Sequence, residues 1–113
     1  MIGILIISHG ALGDSLIHAA SHVLGARPVA VRELDAGDGV LVLTDVYGAT
    51  PGNIAMRLLE KGRVEGIAGV NLPMLVRALT YRNEPLARVV EKALAGGVAG
   101  VLHMNAERCD GEH

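Results

Sequence analysis

Runs of aliphatic residues that stop abruptly at polar residues alternate along the chain with segments whose apolar residues recur at helical spacing. The runs predict buried strands, because a strand covered on both faces is apolar at nearly every position. The spaced segments predict helices, whose ends are marked by glycine or proline. The predicted strands are Ile2–Ile7, Val29–Val31, Val40–Asp45, Val64–Val70 and Val98–Met104, and the predicted helices are Leu12–Leu24, Pro51–Lys61 with Thr50 as N-cap, Pro73–Tyr81 and Pro85–Leu94.

Alternating strands and helices are typical of an α/β domain. We predict three layers, with a central, mostly parallel sheet of four to five strands flanked by helices. Gly96 and Gly97 are predicted to break the last helix, so that the residues after them form the short final strand. Because 113 residues suffice for one core only, residues 1–104 are predicted to form a single domain. The polar residues 105–113 are a predicted C-terminal tail.

The link between two of the predicted strands is short. Parallel strands need a crossover of roughly a dozen residues or more, usually a helix, but only residues 32–39 separate the Val29–Val31 strand from the Val40–Asp45 strand. We therefore expect a segment to be missing from the sequence between about Ala30 and Gly39. The alternative is a true deletion, which would make this edge of the sheet rearrange or exchange between subunits. The mass of the intact protein distinguishes the two.

The composition excludes several classes of function. Half of the residues are apolar, yet Trp and Phe are absent, so the predicted core is aliphatic. A formal net charge of −2 and two tyrosines offer neither a basic surface nor a stacking platform for nucleic acid. The single cysteine allows no internal disulfide, and the chain shows no signal peptide and no apolar run long enough to enter a membrane. We expect a cytoplasmic protein without metal or cofactor.

Polar side chains follow the predicted strands at the points where the aliphatic runs stop. His9 follows the first strand, Thr44 and Asp45 end the strand that begins at Val40, and Asn71 follows Val70. In parallel α/β sheets, ligands bind beyond the carboxyl ends of the strands. We therefore expect these four side chains to lie along one edge of the sheet and to form the site.

His9 and Asp45 together suit phosphoryl transfer. A neutral imidazole can attack phosphorus through one ring nitrogen only while the other nitrogen carries the proton. A carboxylate that accepts that N–H fixes the tautomer and stabilises the positive ring formed on attack, as the acid does in a catalytic triad. The two residues are therefore predicted to be catalytic.

The phosphoryl oxygens need hydrogen-bond donors. The backbone N–H groups of Gly10 and Ala11, at the start of the first predicted helix, are placed to supply them, because helix N-termini attract anions. Gly10 also leaves no side chain in the way. The Thr50 hydroxyl is a second candidate donor, although a threonine before proline is equally well explained as an ordinary helix cap.

Three segments, IISHG, TDVYGATPGN and GVNLPML, resemble in order and position the mannose-type enzyme IIA domains of the bacterial phosphoenolpyruvate:sugar phosphotransferase system. The resemblance involves nearly the whole chain. It implies that His9 accepts a phosphoryl group on Nε2 from an HPr-like phosphocarrier protein and passes it to a IIB-like acceptor. It also implies that Asp45 is the carboxylate partner of His9 and that Thr50 is the hydroxyl near the phosphate.

The resemblance further implies a homodimer, in which the final strand, Val98–Met104, packs against or exchanges with the partner subunit. Residues around the motifs are predicted to line the site, with Tyr47 either docking a partner or covering the site. Ala49 and Gly52 depart from the family's usual residues, which we regard as minor. The predicted site-lining residues are Thr44, Tyr47, Gly48 and Asn71.

Other functions remain open from the sequence. The chain could be a regulatory module whose phosphorylation at His9 gates a partner, or a IIA-like subunit of a dihydroxyacetone kinase system. A phospho-acceptor role for Asp45, as in receiver domains, is disfavoured, because the first strand ends in histidine instead of an acidic pair. Asp14, His18 and His22 share one helix face, but we expect that face to be solvated instead of binding zinc.

Overall fold

The computed structural model describes residues 1–24, 37–47 and 50–107. Three strands form a parallel sheet in the order β1-β2-β3: Gly3–Ile7, Val40–Thr44 and Val64–Ala68. The predicted α/β class with a parallel sheet and flanking helices is confirmed. The sheet of the described residues has three strands instead of four or five, and the predicted strand Val29–Val31 and the expected missing segment lie outside the described residues. The helices are α1 (Leu12–Leu24), α2 (Thr50–Leu58), α3 (Leu72–Thr80), α4 (Leu86–Ala99) and α5 (Met104–Glu107).

Strand β2 lies between the other two and is buried along its whole length. Its alternating side chains enter two apolar clusters, because successive residues of a strand point to opposite faces. Leu41 and Leu43 pack in the larger cluster with residues of α1, α3 and α4. Val40 and Val42 pack on the other face with Ala55 of α2. The core is aliphatic, and helices cover both faces of the sheet.

The predicted final strand, Val98–Met104, is wrong. Helix α4 continues through Gly96 and Gly97 to Ala99, and the next regular element is the short helix α5. Glycines at these positions predict a helix end, but they lie buried where α4 contacts α3. A Cβ atom on Gly96 would lie 2.3 Å from Arg77 Cγ and 3.1 Å from the Pro73 carbonyl oxygen, so glycine lets the two helices approach closely.

Helix α2 is shorter than predicted and ends at Leu58 instead of Lys61. The Glu60 N–H donates to the Val64 carbonyl oxygen at 2.9 Å, which turns the chain directly into β3. Gly62 sits in this turn at φ +81, a backbone conformation that favours glycine. Residues that the helical spacing predicts in the last turn of α2 therefore form this tight turn instead.

Helix α3 begins one residue before the predicted Pro73 and ends at Thr80. Asn71 is its N-cap, and its side-chain oxygen accepts a hydrogen bond from the Met74 N–H. Among the residues that the structure describes, no helix combines the length and apolar character needed to cross a membrane.

Candidate functional site

The carboxyl ends of β1 and β2 lie side by side. The register pairs Ile7 with Thr44, so the residues that follow these two strands emerge next to each other at the same edge of the sheet. His9 comes from the loop after β1, and Asp45 comes directly after β2. The parallel topology therefore brings together two residues that are 36 positions apart in sequence.

Asp45 contacts both the side chain and the backbone of His9. Its Oδ2 atom lies 2.7 Å from His9 Nδ1 and accepts the His9 backbone N–H at 2.9 Å. Its Oδ1 atom accepts the N–H of Val46 at 2.9 Å. Three contacts therefore fix the carboxylate, and two of them hold the loop that carries the imidazole.

The hydrogen bonds to Asp45 also stabilise the charged form of its carboxyl group. The His9 backbone N–H, followed by the His9 ring, lowers the pKa of the Asp45 carboxyl from 3.8 to about 2, because both stabilise the charged form. At neutral pH the carboxylate can only accept, so the proton between the two side chains belongs to His9 Nδ1. In the neutral form of the imidazole, this leaves the lone pair on Nε2. The His9 side chain is 58% exposed and the Asp45 side chain only 10%, so a partner can reach the imidazole.

Helix α1 begins at Leu12, three residues after His9. Gly10 has φ +52, and a Cβ atom there would meet nothing within 4 Å, so its backbone conformation is what favours glycine. The Leu12 N–H donates to the His9 carbonyl oxygen at 3.3 Å, and the Ser15 N–H donates to the Ala11 carbonyl oxygen at 3.0 Å. Within the described part of the chain, the N–H groups of Gly10 and Ala11 donate to no protein acceptor. They remain available to an anion beside His9.

Ser8 belongs to this loop, and the sequence pattern marks it only as the end of the first strand. Its Oγ atom accepts the Gly13 N–H at 2.9 Å and so caps the first turn of α1. The usual signal for a capping serine is a position two or three residues before the N–H that it accepts. Ser8 lies five residues before Gly13, so that spacing rule does not identify it.

The remaining predicted site residues occupy different environments. Thr44 is 5% exposed, and its Oγ1 atom has no hydrogen-bond partner among the residues that the structure describes. Tyr47 is 73% exposed beside Asp45. Thr50 is the first residue of α2, but its side chain lies outside the described part of the structure, as does Gly48. The roles predicted for these residues stay predictions.

The side-chain amide of Asn71 makes hydrogen bonds to two helices. Its oxygen accepts the Met74 N–H at 2.9 Å, and its nitrogen donates to the Gly97 carbonyl oxygen at 3.0 Å. The side chain therefore joins the start of α3 to the late part of α4. Both contacts are structural, and its predicted site-lining role stays untested.

The described residues contain no group of three His, Cys, Asp or Glu side chains that could hold a metal ion. Asp14 and His18 of the helix face considered for zinc lie on α1, and both are exposed. The His22 side chain is outside the described residues.

The family model described as "PTS system fructose IIA component" matches residues 28–94. The matched stretch includes Asp45 and begins after His9. The PTS system mannose-specific EIIAB component of Escherichia coli (strain K12) is 31% identical over 130 residues, an alignment that includes 94% of this chain. That span is longer than the 113-residue chain, so the alignment opens gaps in this chain. The chain spans 40% of the length of this relative.

Solved structures show the same fold. The phosphotransferase system component EIIA from Streptococcus agalactiae matches with a TM-score of 0.80 at 24% identity, over 94% of this chain and 99% of its own. The mannose/sorbose specific IIA subunit from Enterococcus faecalis matches with a TM-score of 0.77 at 22% identity, over 89% of this chain and 92% of its own. At these identities, the likeness shows the fold.

Proposed function

The chain belongs to the mannose-type enzyme IIA family of the phosphotransferase system, and on that premise we propose that it is a phosphocarrier whose acceptor is His9. The donor is an HPr-like phosphohistidine protein, and the recipient is a IIB-like domain. The observation that carries the proposal is the contact of 2.7 Å between His9 Nδ1 and Asp45 Oδ2, which in the neutral imidazole keeps the proton on Nδ1 and the lone pair on Nε2 of an exposed side chain. Such a carrier acts in the cytoplasm.

The transfer makes one N–P bond and breaks another. His9 Nε2 donates its lone pair to the phosphorus atom, and the donor's ring nitrogen leaves with the electron pair of its own N–P bond. No proton has to move to or from Nε2, because that nitrogen is unprotonated at the start. The second transfer is the same exchange in reverse, with the recipient's nucleophile attacking the phosphorus on His9. Since the bonds made and broken are alike, positioning supplies most of the catalysis.

Asp45 stabilises the phosphorylated state. When Nε2 bonds to phosphorus, the ring becomes positive and Nδ1–H becomes a stronger donor. The carboxylate opposite Nδ1 remains charged, since its pKa is held at about 2. An ionised acceptor strengthens this hydrogen bond, so the same contact that fixes the tautomer before transfer stabilises the imidazolium after it.

Backbone donors complete the proposed site. The N–H groups of Gly10 and Ala11 bind the phosphoryl oxygens, in keeping with their lack of protein acceptors within the described residues. The N-terminus of α1 supplies the favourable end of a helix dipole for this charge. The Thr50 hydroxyl and the residues Thr44, Tyr47 and Gly48 are proposed to line the same site.

We further propose that the protein is a homodimer. Several large apolar side chains near the C-terminus are exposed in the single chain, and clusters of this kind mark interaction sites. They lie in the second half of α4 and in the residues that follow it, and their side chains are exposed, so a second copy could cover them without disturbing the core. The exposed residues are Leu94, Val98, Val101, Leu102 and Met104.

Incubation with phosphoenolpyruvate, enzyme I and HPr tests the proposal. We expect one phosphate per chain that is labile in acid and stable in base, as a phosphohistidine is. The His9→Ala variant should take up none, while His18→Ala, which removes an exposed histidine from α1, should be labelled as the wild type is. Stoichiometric labelling of His9→Ala would refute the assignment of the site.

A further inference from the structure

The loop that carries His9 is short and is fixed at few points. Residues 8–11 connect β1 to α1. Asp45 holds the backbone N–H of His9 from one side. On the other side, the bond from the Leu12 N–H to the His9 carbonyl oxygen is long, at 3.3 Å, whereas the bond from the Gly13 N–H to Ser8 Oγ measures 2.9 Å. A third bond, from the Ser15 N–H to the Ala11 carbonyl oxygen, measures 3.0 Å, so the serine hydroxyl accepts the shortest of these three bonds between the loop and the helix.

We infer that Ser8 is a positioning residue for phosphoryl transfer. Its hydroxyl holds the first turn of α1 against the end of β1, and so fixes the imidazole of His9 against Asp45. The same contact keeps the N–H groups of Gly10 and Ala11 beside Nε2. The inference rests on the proposed function, because it assigns Ser8 a part in the transfer made by His9.

The packing around Gly13 supports this role independently. Gly13 does not have a positive φ, so its backbone conformation does not call for glycine. A Cβ atom there would lie 3.2 Å from Ser8 Oγ and 3.2 Å from Ile6 Cγ2, both tight contacts. The missing side chain thus lets α1 approach the end of β1 closely enough for the hydroxyl to reach the Gly13 N–H.

The position of Ser8 indicates that it affects transfer by holding the loop that carries His9, and not by contacting the phosphoryl group. Its side chain is half-buried, whereas the His9 side chain is mostly exposed. The hydroxyl oxygen already accepts a hydrogen bond from the helix. Removing the hydroxyl would leave the Gly13 N–H without its acceptor and release the helix start from the strand. Displacements of about 1 Å can slow a positioned reaction by about 100-fold.

Four variants separate this role from a general loss of stability. Ser8→Ala should lower kcat for phosphoryl transfer from HPr by about 10-fold or more, with little change in KM, because Ser8 acts on geometry instead of partner binding. Ser8→Thr keeps the hydroxyl and should show the wild-type rate, while Ser8→Val, whose side chain has nearly the shape of threonine but no hydroxyl, should not. Ser15→Ala removes an exposed serine from α1 and should leave the rate unchanged.

A second measurement does not depend on the donor protein. In ¹⁵N NMR spectra of the unphosphorylated protein, recorded at a pH where the ring signals are those of a neutral imidazole, we expect the proton of His9 on Nδ1. Ser8→Ala and Ser8→Val should show a mixture of both tautomers, and Ser8→Thr should match the wild type. If Ser8→Ala does not fold, the comparison of Ser8→Thr with Ser8→Val still tests the role of the hydroxyl.

The outcomes distinguish the two proposals. A labelled wild type with equal rates and equal tautomers in Ser8→Thr and Ser8→Val would overturn the role of Ser8 and leave the phosphocarrier intact. A wild type that HPr does not label would refute the phosphocarrier, while the tautomer measurement would still show whether Ser8 positions His9.

Discussion

Helices α1 and α3 both start just beyond the carboxyl end of a strand, and polar residues precede both, but their N-termini differ. At α3, the Asn71 side chain caps the Met74 N–H and also binds the Gly97 carbonyl oxygen. At α1, Ser8 accepts the Gly13 N–H, and the N–H groups of Gly10 and Ala11 find no acceptor within the described residues. The start of α3 therefore stabilises the fold, whereas the start of α1 leaves backbone N–H donors available next to His9.

The largest expected effect concerns the α1 end. Replacing Asp45 with Asn keeps the size of the side chain but removes the charge that holds the proton on His9 Nδ1. We expect the rate of phosphoryl transfer to fall by about 100-fold or more, as it does when an orienting acid is lost from a catalytic triad. Single-turnover transfer from phosphorylated HPr measures this rate. Asp38→Asn, which changes an exposed aspartate before β2, serves as the control, and an unchanged rate in Asp45→Asn would make Asp45 only a structural cap.

A smaller effect is expected at the α3 end, on stability instead of rate. Asn71→Ala removes a helix cap and a hydrogen bond to α4, so the free energy of unfolding should fall by about 2–3 kcal/mol. The transfer rate of the folded variant should remain that of the wild type. Urea unfolding at one fixed protein concentration checks the first expectation, since a dimer would make stability depend on concentration.

Two further variants sharpen this test. Asn71→Asp keeps the oxygen that accepts the Met74 N–H but loses the donor to Gly97, so its stability should lie between those of the wild type and Asn71→Ala. Asn83→Ala removes an exposed asparagine from the link between α3 and α4 and should change stability little. If folded Asn71→Ala transferred the phosphoryl group more slowly than the wild type, Asn71 would belong to the site, and the starts of α1 and α3 would not differ in function.

The smallest expected effect is the pH dependence of stability. The pKa of Asp45 is about 2 in the folded chain against an ordinary 3.8. A carboxyl with a lowered folded pKa stabilises the protein above its unfolded pKa, and this contribution is lost as pH falls through the interval between the two values. The free energy of unfolding of the wild type should therefore fall relative to that of Asp45→Asn between pH 3.8 and about 2. Parallel pH profiles for the two proteins would contradict the lowered pKa.

The hydrophobic runs in the sequence predict the strands of the sheet, and the polar residues after them predict that His9 lies close to Asp45. That prediction succeeded because parallel strands bring their carboxyl ends to one edge, whatever the detail of the loops. Prediction from sequence fails for glycine, which can either end a helix or allow two helices to pack closely. Gly96 and Gly97 predicted a helix end, yet they lie where two helices touch. Which use a glycine serves depends on the neighbouring helix, which local spacing does not reveal.

The second shortfall concerns hydrogen bonds made by loop residues. The site-lining role of Asn71 stays a prediction, but the sequence does not reveal that its amide joins α3 to α4 through Gly97, which lies 26 residues away. The hydrogen bond of Ser8 is equally hidden, because Ser8 lies outside the usual spacing for a cap. Both contacts depend on how the helices dock, so only the folded chain reveals them.

The most direct test of the central claim is the position of the phosphoryl group on the imidazole. Long-range ¹H–¹⁵N spectra of the chain phosphorylated by HPr should show phosphorus on Nε2 of His9 and a proton on Nδ1, the nitrogen that faces Asp45. A phosphoryl group on Nδ1 of His9, or on another histidine such as His18, would contradict the account.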